Sequence, residues 1–248
     1  MSLRESKEAS AVRERYARRQ PRDSYSMLNL AHCLASQERE RAILQGLAYR
    51  LRGRRLEKLA LLEVGCGTGT NLLEFLRMGF ARENLCGLEL LQERAAMAGR
   101  VLPDSVRLLE GDALVAPIEE CSQDIVYQSV VFSSLLDDGF QAALAARLWS
   151  WVRPGGAVLW YDFIYDNPRN PDVRGVGLRR VRQLFPGVAM RVRRLTLAPP
   201  ISRLLCRHAL WAHPLANAVP FLKTHVLCWL EKQAGPPDSS SSHDEPRS

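Results

Sequence analysis

Lysine is nearly missing from this chain. It stands only at positions 7, 58, 223 and 232, so arginine supplies 30 of the 34 basic residues. Cysteine occurs at 33, 66, 86, 121, 206 and 228 with no Cys-x-x-Cys pair, which argues against a zinc site and a disulfide framework. No apolar run approaches the ~20 residues needed to span a bilayer. The opening Met1-Ser2-Leu3-Arg4-Glu5 is charged where a secretory signal would be apolar. These absences lead to the expectation of a cytoplasmic protein without a membrane span. No internal repeat is visible.

What is present is ordinary for a globular protein. The 248 residues are 46% hydrophobic and 25% charged, which suits one α/β domain with a terminal extension. The net charge of +7, carried by arginine, fits an anionic acceptor or carrier, because the guanidinium pairs with carboxylates and phosphates through two bonds at once. A compositional bias toward arginine explains the same number more simply. Basic residues read as spread along the chain, with no nucleic-acid-binding module, so nucleic acid is not expected as a partner.

Leu61-Leu62-Glu63-Val64-Gly65-Cys66-Gly67-Thr68-Gly69-Thr70 runs an apolar strand into an acid and then three alternate glycines. Glycine permits a tight turn and close approach of main chain to a ligand. The following Asn71–Met78 reads as an amphipathic helix, so the turn lies at the carboxyl end of a strand, where α/β sheets bind ligands. Glu89 closes a second apolar run, 24 positions beyond Gly65. An acid at about that distance accepts hydrogen bonds from ribose hydroxyls. A third strand ends at Glu110-Gly111-Asp112-Ala113, where the aspartate is placed for an adenine amino group. A fourth runs through Asp124-Ile125-Val126.

In order and spacing these stretches resemble the class I S-adenosylmethionine (SAM) dependent methyltransferases, from about Ala60 to Phe163. Val152-Arg153-Pro154-Gly155-Gly156 is similar to the turn before their fifth strand. A nicotinamide-binding fold is the rival, but it uses Gly-x-Gly-x-x-Gly, and Gly65, Gly67 and Gly69 after Glu63 fit SAM better. The resemblance implies SAM as cofactor and a doubly wound, mostly parallel seven-stranded sheet. It also implies cofactor contacts at Glu63, Gly65, Cys66, Gly67, Asn71, Glu89, Leu90, Asp112, Ala113 and Gln128. Tyr161–Gly175, Tyr16-Ala17-Arg18-Arg19, Tyr25-Ser26 and Leu195–Pro200 are similar to a bacterial subgroup associated with surface-polysaccharide or secondary-metabolite clusters.

The chain divides into an N-terminal helical cap (1–56), a SAM-binding domain (57–232) and a disordered tail (233–248), whose Gly-Pro-Pro-Asp-Ser composition cannot bury apolar surface. Expected helices span Glu8–Arg19, Ala31–Leu51, 69–78, 91–101, 138–152, Val176–Phe185 and Ile201–Val219, the last interrupted at Pro214. Expected strands span 60–64, 84–89, 106–110, 124–129, 156–163, Arg191–Leu197 and Thr224–Glu231, the final two forming an antiparallel pair. Glu63, Glu89, Asp112, Gln128 and Asp162 should converge on one crevice at the strand ends.

Methyl transfer to a hydroxyl needs a base, because its pKa is high. Asp162 is the candidate, beside Tyr161; bonding to a turn explains Asp162 equally well. Asp137 and Asp138 read as helix caps. His32, His208, His213 and His225 read as packed or surface residues. Tyr16 and Arg19 share a helix side and could close over the cofactor with Tyr25, Arg19 pairing its carboxylate. Asp137, Asp162 or Asp166 could meet a divalent metal, but no spacing compels one, and none is assigned. The expected acceptor is a small or carrier-linked hydroxylated molecule, with a non-catalytic SAM-binding partner protein and an RNA methyltransferase as rivals.

Overall fold

The computed structural model describes residues 6–18, 26–51, 53–168 and 170–234. Seven strands form one sheet in the order β3-β2-β1-β4-β5-β7-β6. β1 (Leu61–Val64), β2 (Leu85–Glu89), β3 (Arg107–Glu110), β4 (Gln123–Ser129) and β5 (Val152–Phe163) run parallel. β6 (Ala189–Leu197) and β7 (Lys223–Glu231) complete the sheet as an antiparallel pair, β7 lying between β5 and β6. The expected doubly wound sheet is therefore present, with its antiparallel end.

Helices cover both faces, as a sheet buried on two sides requires. One face carries α2 (Leu30–Leu51), α3 (Thr70–Met78) and α4 (Gln92–Val101), which pack Ile43, Leu47, Leu72, Phe75 and Ala98 onto Leu61, Tyr127 and Leu159. The other carries α5 (Asp138–Trp151) and α6 (Leu178–Leu184), whose Leu144, Leu148, Trp151 and Val181 meet Leu62, Val126 and Trp160. β1 is buried at every position and lies at the centre of both layers. Successive strand residues point to opposite faces, so each strand feeds both cores.

Local chemistry sets the boundaries. Gly69 and Gly79 bracket α3 in the left-handed region, at φ 84° and 110°. The Asp137 carboxylate accepts the Phe140 amide at 2.6 Å and starts α5, the capping role expected of it. β5 begins at Val152, earlier than expected, because its first residue pairs with Gln123 before the ladder slips at Pro154-Gly155-Gly156 and resumes at Ala157. The single helix expected over Ile201–Val219 is instead α7 (Pro199–His208), a 3-10 turn at Leu210–Ala212 and α8 (His213–Ala218). Pro214 falls in the first turn of α8, where its missing N–H costs no bond.

α1 (Lys7–Ala17) lies across the carboxyl ends of the strands, while α2 is a full member of a helical layer, with Ala42, Ile43 and Leu47 in the core. Arg19, Tyr25 and nearly all of the expected tail lie outside the described residues.

Candidate active site at the strand ends

The glycine turn is built as its sequence demands. Gly65, Gly67 and Gly69 have φ of 70°, 59° and 84°, a region that other residues enter only under strain. A side chain at Gly65 would also meet Val131 Cγ2 at 2.5 Å, and one at Gly67 would meet the Arg94 guanidinium at 2.7 Å. The turn continues the parallel ladder, since Gly65 and Cys66 both donate to the Leu88 carbonyl. Burial pushes the Cys66 thiol up and keeps it protonated.

Glu89 faces this turn. Its Oε2 accepts the Gly67 amide at 2.7 Å and its Oε1 the Leu91 amide at 3.0 Å, within a buried setting. A carboxylate has about four acceptor positions, so Glu89 ties the turn to β2 with capacity left for a ligand. Asp112 Oδ1 accepts from the Leu114 amide at 2.9 Å, and Oδ2 from the Ser6 amide at 3.3 Å. Tyr16, Leu90, Ala113 and Val131 pack against one core edge. The structure thus brings Gly65, Cys66, Gly67, Glu89, Leu90, Asp112, Ala113 and Tyr16 to one end of the sheet.

α1 closes that end. Tyr16 lies under the Arg94 guanidinium, 5.4 Å from its ring centre. Glu8 accepts the Leu136 amide at 2.8 Å and pairs with Arg15 at 2.6 Å, while Arg15 donates to the Ser134 carbonyl at 3.0 Å. Nothing in the sequence pointed to Arg94, Glu8 and Arg15 beside Tyr16, because their roles depend on partners up to 128 positions away.

Glu63 sits deeper. Its Oε1 accepts from the Asn71 amide group at 2.5 Å, and its buried Oε2 has no partner. Burial raises its pKa to about 8, against the pull of Asn71 and Arg39. Arg39, unforeseen from sequence, joins α2 to α3 through Asn71 at 2.8 Å and Glu74 at 3.2 Å.

Residues 61–156 match a family described as methyltransferase domain, about two fifths of the chain. Over 113 residues the chain is 27% identical to a tRNA N(3)-methylcytidine methyltransferase of Schizosaccharomyces pombe, a match covering 42% of this chain and 36% of that protein. The chain therefore spans only about a third of that relative's length. Among solved structures, a SAM-dependent methyltransferase of Thermotoga maritima superposes with a TM-score of 0.60 at 16% identity, covering 90% of this chain and 99% of that one. Another from Mesorhizobium loti has a TM-score of 0.56 at 16% identity, covering 78% and 97%. At such identity the superpositions establish the fold, which is that of class I SAM-dependent methyltransferases.

The residues present fit SAM, the cofactor that the resemblance implies. The cradle is open only to glycine, Glu89 retains acceptor capacity, and the unpartnered Glu63 Oε2 suits a cationic group.

The proposed catalytic pair requires correction. Tyr161 and Asp162 are neighbours on β5 and so point to opposite faces. Asp162 is fully buried, accepting the Ser133 amide at 3.1 Å and the Phe163 amide at 2.9 Å. Burial raises its pKa to about 7, while these bonds pull it down. It holds the loop on which α1 docks. Gln128 serves the same loop, donating to the Tyr161 carbonyl at 3.3 Å and accepting from the Val131 amide at 3.1 Å. Tyr161 faces α2, its hydroxyl 2.7 Å from Thr196 Oγ1 and its ring stacked 5.1 Å from His225. Burial, helped by Arg39, lowers the His225 pKa to about 4, so its ring is neutral. Among the described residues no three His, Cys, Asp or Glu side chains gather as a metal site would need.

Proposed function

We propose that the chain methylates a small or carrier-linked hydroxylated acceptor, using SAM. The carrying observation is the anionic, glycine-lined end of the sheet, where buried Glu89 holds the Gly67 amide and buried Glu63 keeps an unpartnered oxygen. When bound, SAM supplies a methyl group on a sulfonium, and alignment with the acceptor then provides much of the acceleration. In this reading Glu89 holds the ribose hydroxyls, Asp112 the adenine end, and Glu63 a cationic group. Leu90, Ala113 and Tyr16 exclude water. Asp162 and Gln128 act by positioning the 130–136 loop. Burial raises the Tyr161 pKa and keeps its phenol protonated, so Tyr161, with the neutral His225 ring stacked on it, acts by positioning on the α2 side of β5.

Calorimetry with SAM and its demethylated product, followed by release of that product in the presence of hydroxylated acceptors, tests the reading. Failure to bind either at about millimolar concentration, the weakest affinity worth the name for a cofactor, removes it. Binding without turnover on any acceptor would favour a non-catalytic SAM-binding partner.

RNA methylation is the second reading, supported by the relative that modifies tRNA. Salt-sensitive binding of tRNA by the purified chain would favour it.

A further inference from the structure

The positive charge is concentrated, contrary to the first impression of even spread. Residues 173–230 contain nine arginines and Lys223 but no aspartate or glutamate, whereas the rest of the chain holds 24 basic and 27 acidic residues. Within this stretch, residues 198–222 connect β6 to β7. Leu197 pairs with Lys223, and His225 with Phe163 at the end of β5. The connection therefore emerges at the same end of the sheet as the glycine turn.

Its packing is inside out. The two side chains of this connection that are buried are Ser202 and His213, bonded to each other at 3.0 Å. The large apolar residues stand in solvent: Trp211 is 78% exposed, Phe221 76%, Leu215 66% and Leu204 61%, with Leu210 beside them. Arg203 and Arg207 are exposed on α7 between these groups and form no ion pair with another described residue. Folding alone gives no reason to place Trp, Phe and Leu outward while hiding a serine and a histidine. So many large apolar side chains exposed on one 25-residue connection mark an interaction face.

We propose that the α7–α8 connection docks on the surface of an anionic phospholipid bilayer, holding the crevice beside that surface. Trp, Phe and Leu interleaved with arginine is the composition of segments that lie in a bilayer interface. The ten residues of α7 are too few to cross one. A second copy of the chain is disfavoured because the face would meet its own positive charge. RNA would use the arginines but leave Leu204, Leu210 and Leu215 in water. The docking rests on this surface alone. That the acceptor is held at the bilayer, carried by a lipid, rests additionally on the methyl-transfer reading.

Pelleting with phosphatidylcholine vesicles, with and without phosphatidylglycerol, tests the docking. Retention should be about tenfold or more greater on the anionic vesicles, and Arg203→Ala and Arg207→Ala should each weaken it about fivefold. The exposed Trp211→Ser and Phe221→Ser pair should lower it about tenfold or more, with an unchanged melting temperature. Equal binding to both vesicle types, or none, overturns the proposal. So does a self-association abolished by the same pair, or tRNA binding that the pair weakens while vesicle binding is absent. Pelleting requires neither SAM nor an acceptor, so its failure leaves the methyl-transfer reading intact. Absent SAM binding with vesicle retention intact would remove only the catalytic reading.

Discussion

At the β1–β2–β4 side of the sheet the strand ends carry buried acids beside glycine, Glu89 and Asp112 holding backbone amides while Glu63 keeps one oxygen unpartnered. At the β5–β7–β6 side the β6–β7 connection is basic, its two buried side chains are polar and its large apolar ones are exposed. The first region is organised around a small ligand that must be enclosed. The second has an outer surface that its own fold leaves uncovered. The contrast separates the part of the molecule that handles the cofactor from the part that decides what meets it. Substitutions should therefore fall into two groups.

The largest effect is expected for Gly65→Val. Its backbone has φ 70° and its new side chain would meet Val131, a strain of about 3 kcal/mol. Calorimetry should show affinity for demethylated SAM falling by about a hundredfold; retained affinity would mean that the turn is not the cradle. Glu89→Ala follows, removing charge-assisted bonds at about 2 kcal/mol and weakening the same affinity by about thirtyfold. An equal effect from Trp211→Ser would erase the distinction between the two regions.

Protons sharpen the comparison next. The folded pKa values of Asp162 and Glu63 are raised, to about 7 and about 8. Their contribution to stability is therefore full below the ordinary carboxylate range and is lost as pH rises through those values. The melting temperature should fall across that window, and Glu63→Gln should flatten the part approaching pH 8. A cationic group bound at Glu63 favours its ionised form, so cofactor binding near neutral pH should release a proton, measurable as a dependence of binding heat on the buffer. Binding without proton release would show that Glu63 does not meet that group.

Smaller effects belong to the other side. Tyr161→Phe loses the bond to Thr196, costing about 1 kcal/mol of stability. It should lower turnover while leaving cofactor affinity unchanged; loss of affinity would place Tyr161 in the cofactor site instead. Trp211→Ser should change stability by less than about 0.5 kcal/mol, because its ring is already in water. A large loss in a melting experiment would show that the ring supports the fold.

Legibility in the sequence followed the range of the interaction. The turn at Gly65, the acid at Glu89, the Asp137 cap and the strand–helix alternation of a parallel core rest on contacts between near neighbours or on periodicity, and each could be read before the fold was known. Asp162 and Tyr161 could not be sorted, because adjacency in a strand places two side chains on opposite faces, while adjacency in a sequence suggests one site. Arg39, Arg94 and Glu8 carried no signal, since their partners lie on other elements. The helix expected over Ile201–Val219 was recognised as interrupted, but the outward turn of Trp211 and Leu215 depends on how its pieces lean on one another.

The order of residues by itself determined that strands would alternate with helices, that glycine would occupy the backbone's left-handed turn, and that acids would stand at the strand ends. Such outcomes follow from backbone sterics and the two- and 3.6-residue repeats, which act over a few positions. Only the tertiary structure decided which acid faces the crevice, which is spent on holding a loop, and which apolar side chains remain in water. Those choices depend on long-range packing, where a side chain's surroundings come from strands and helices far away along the chain.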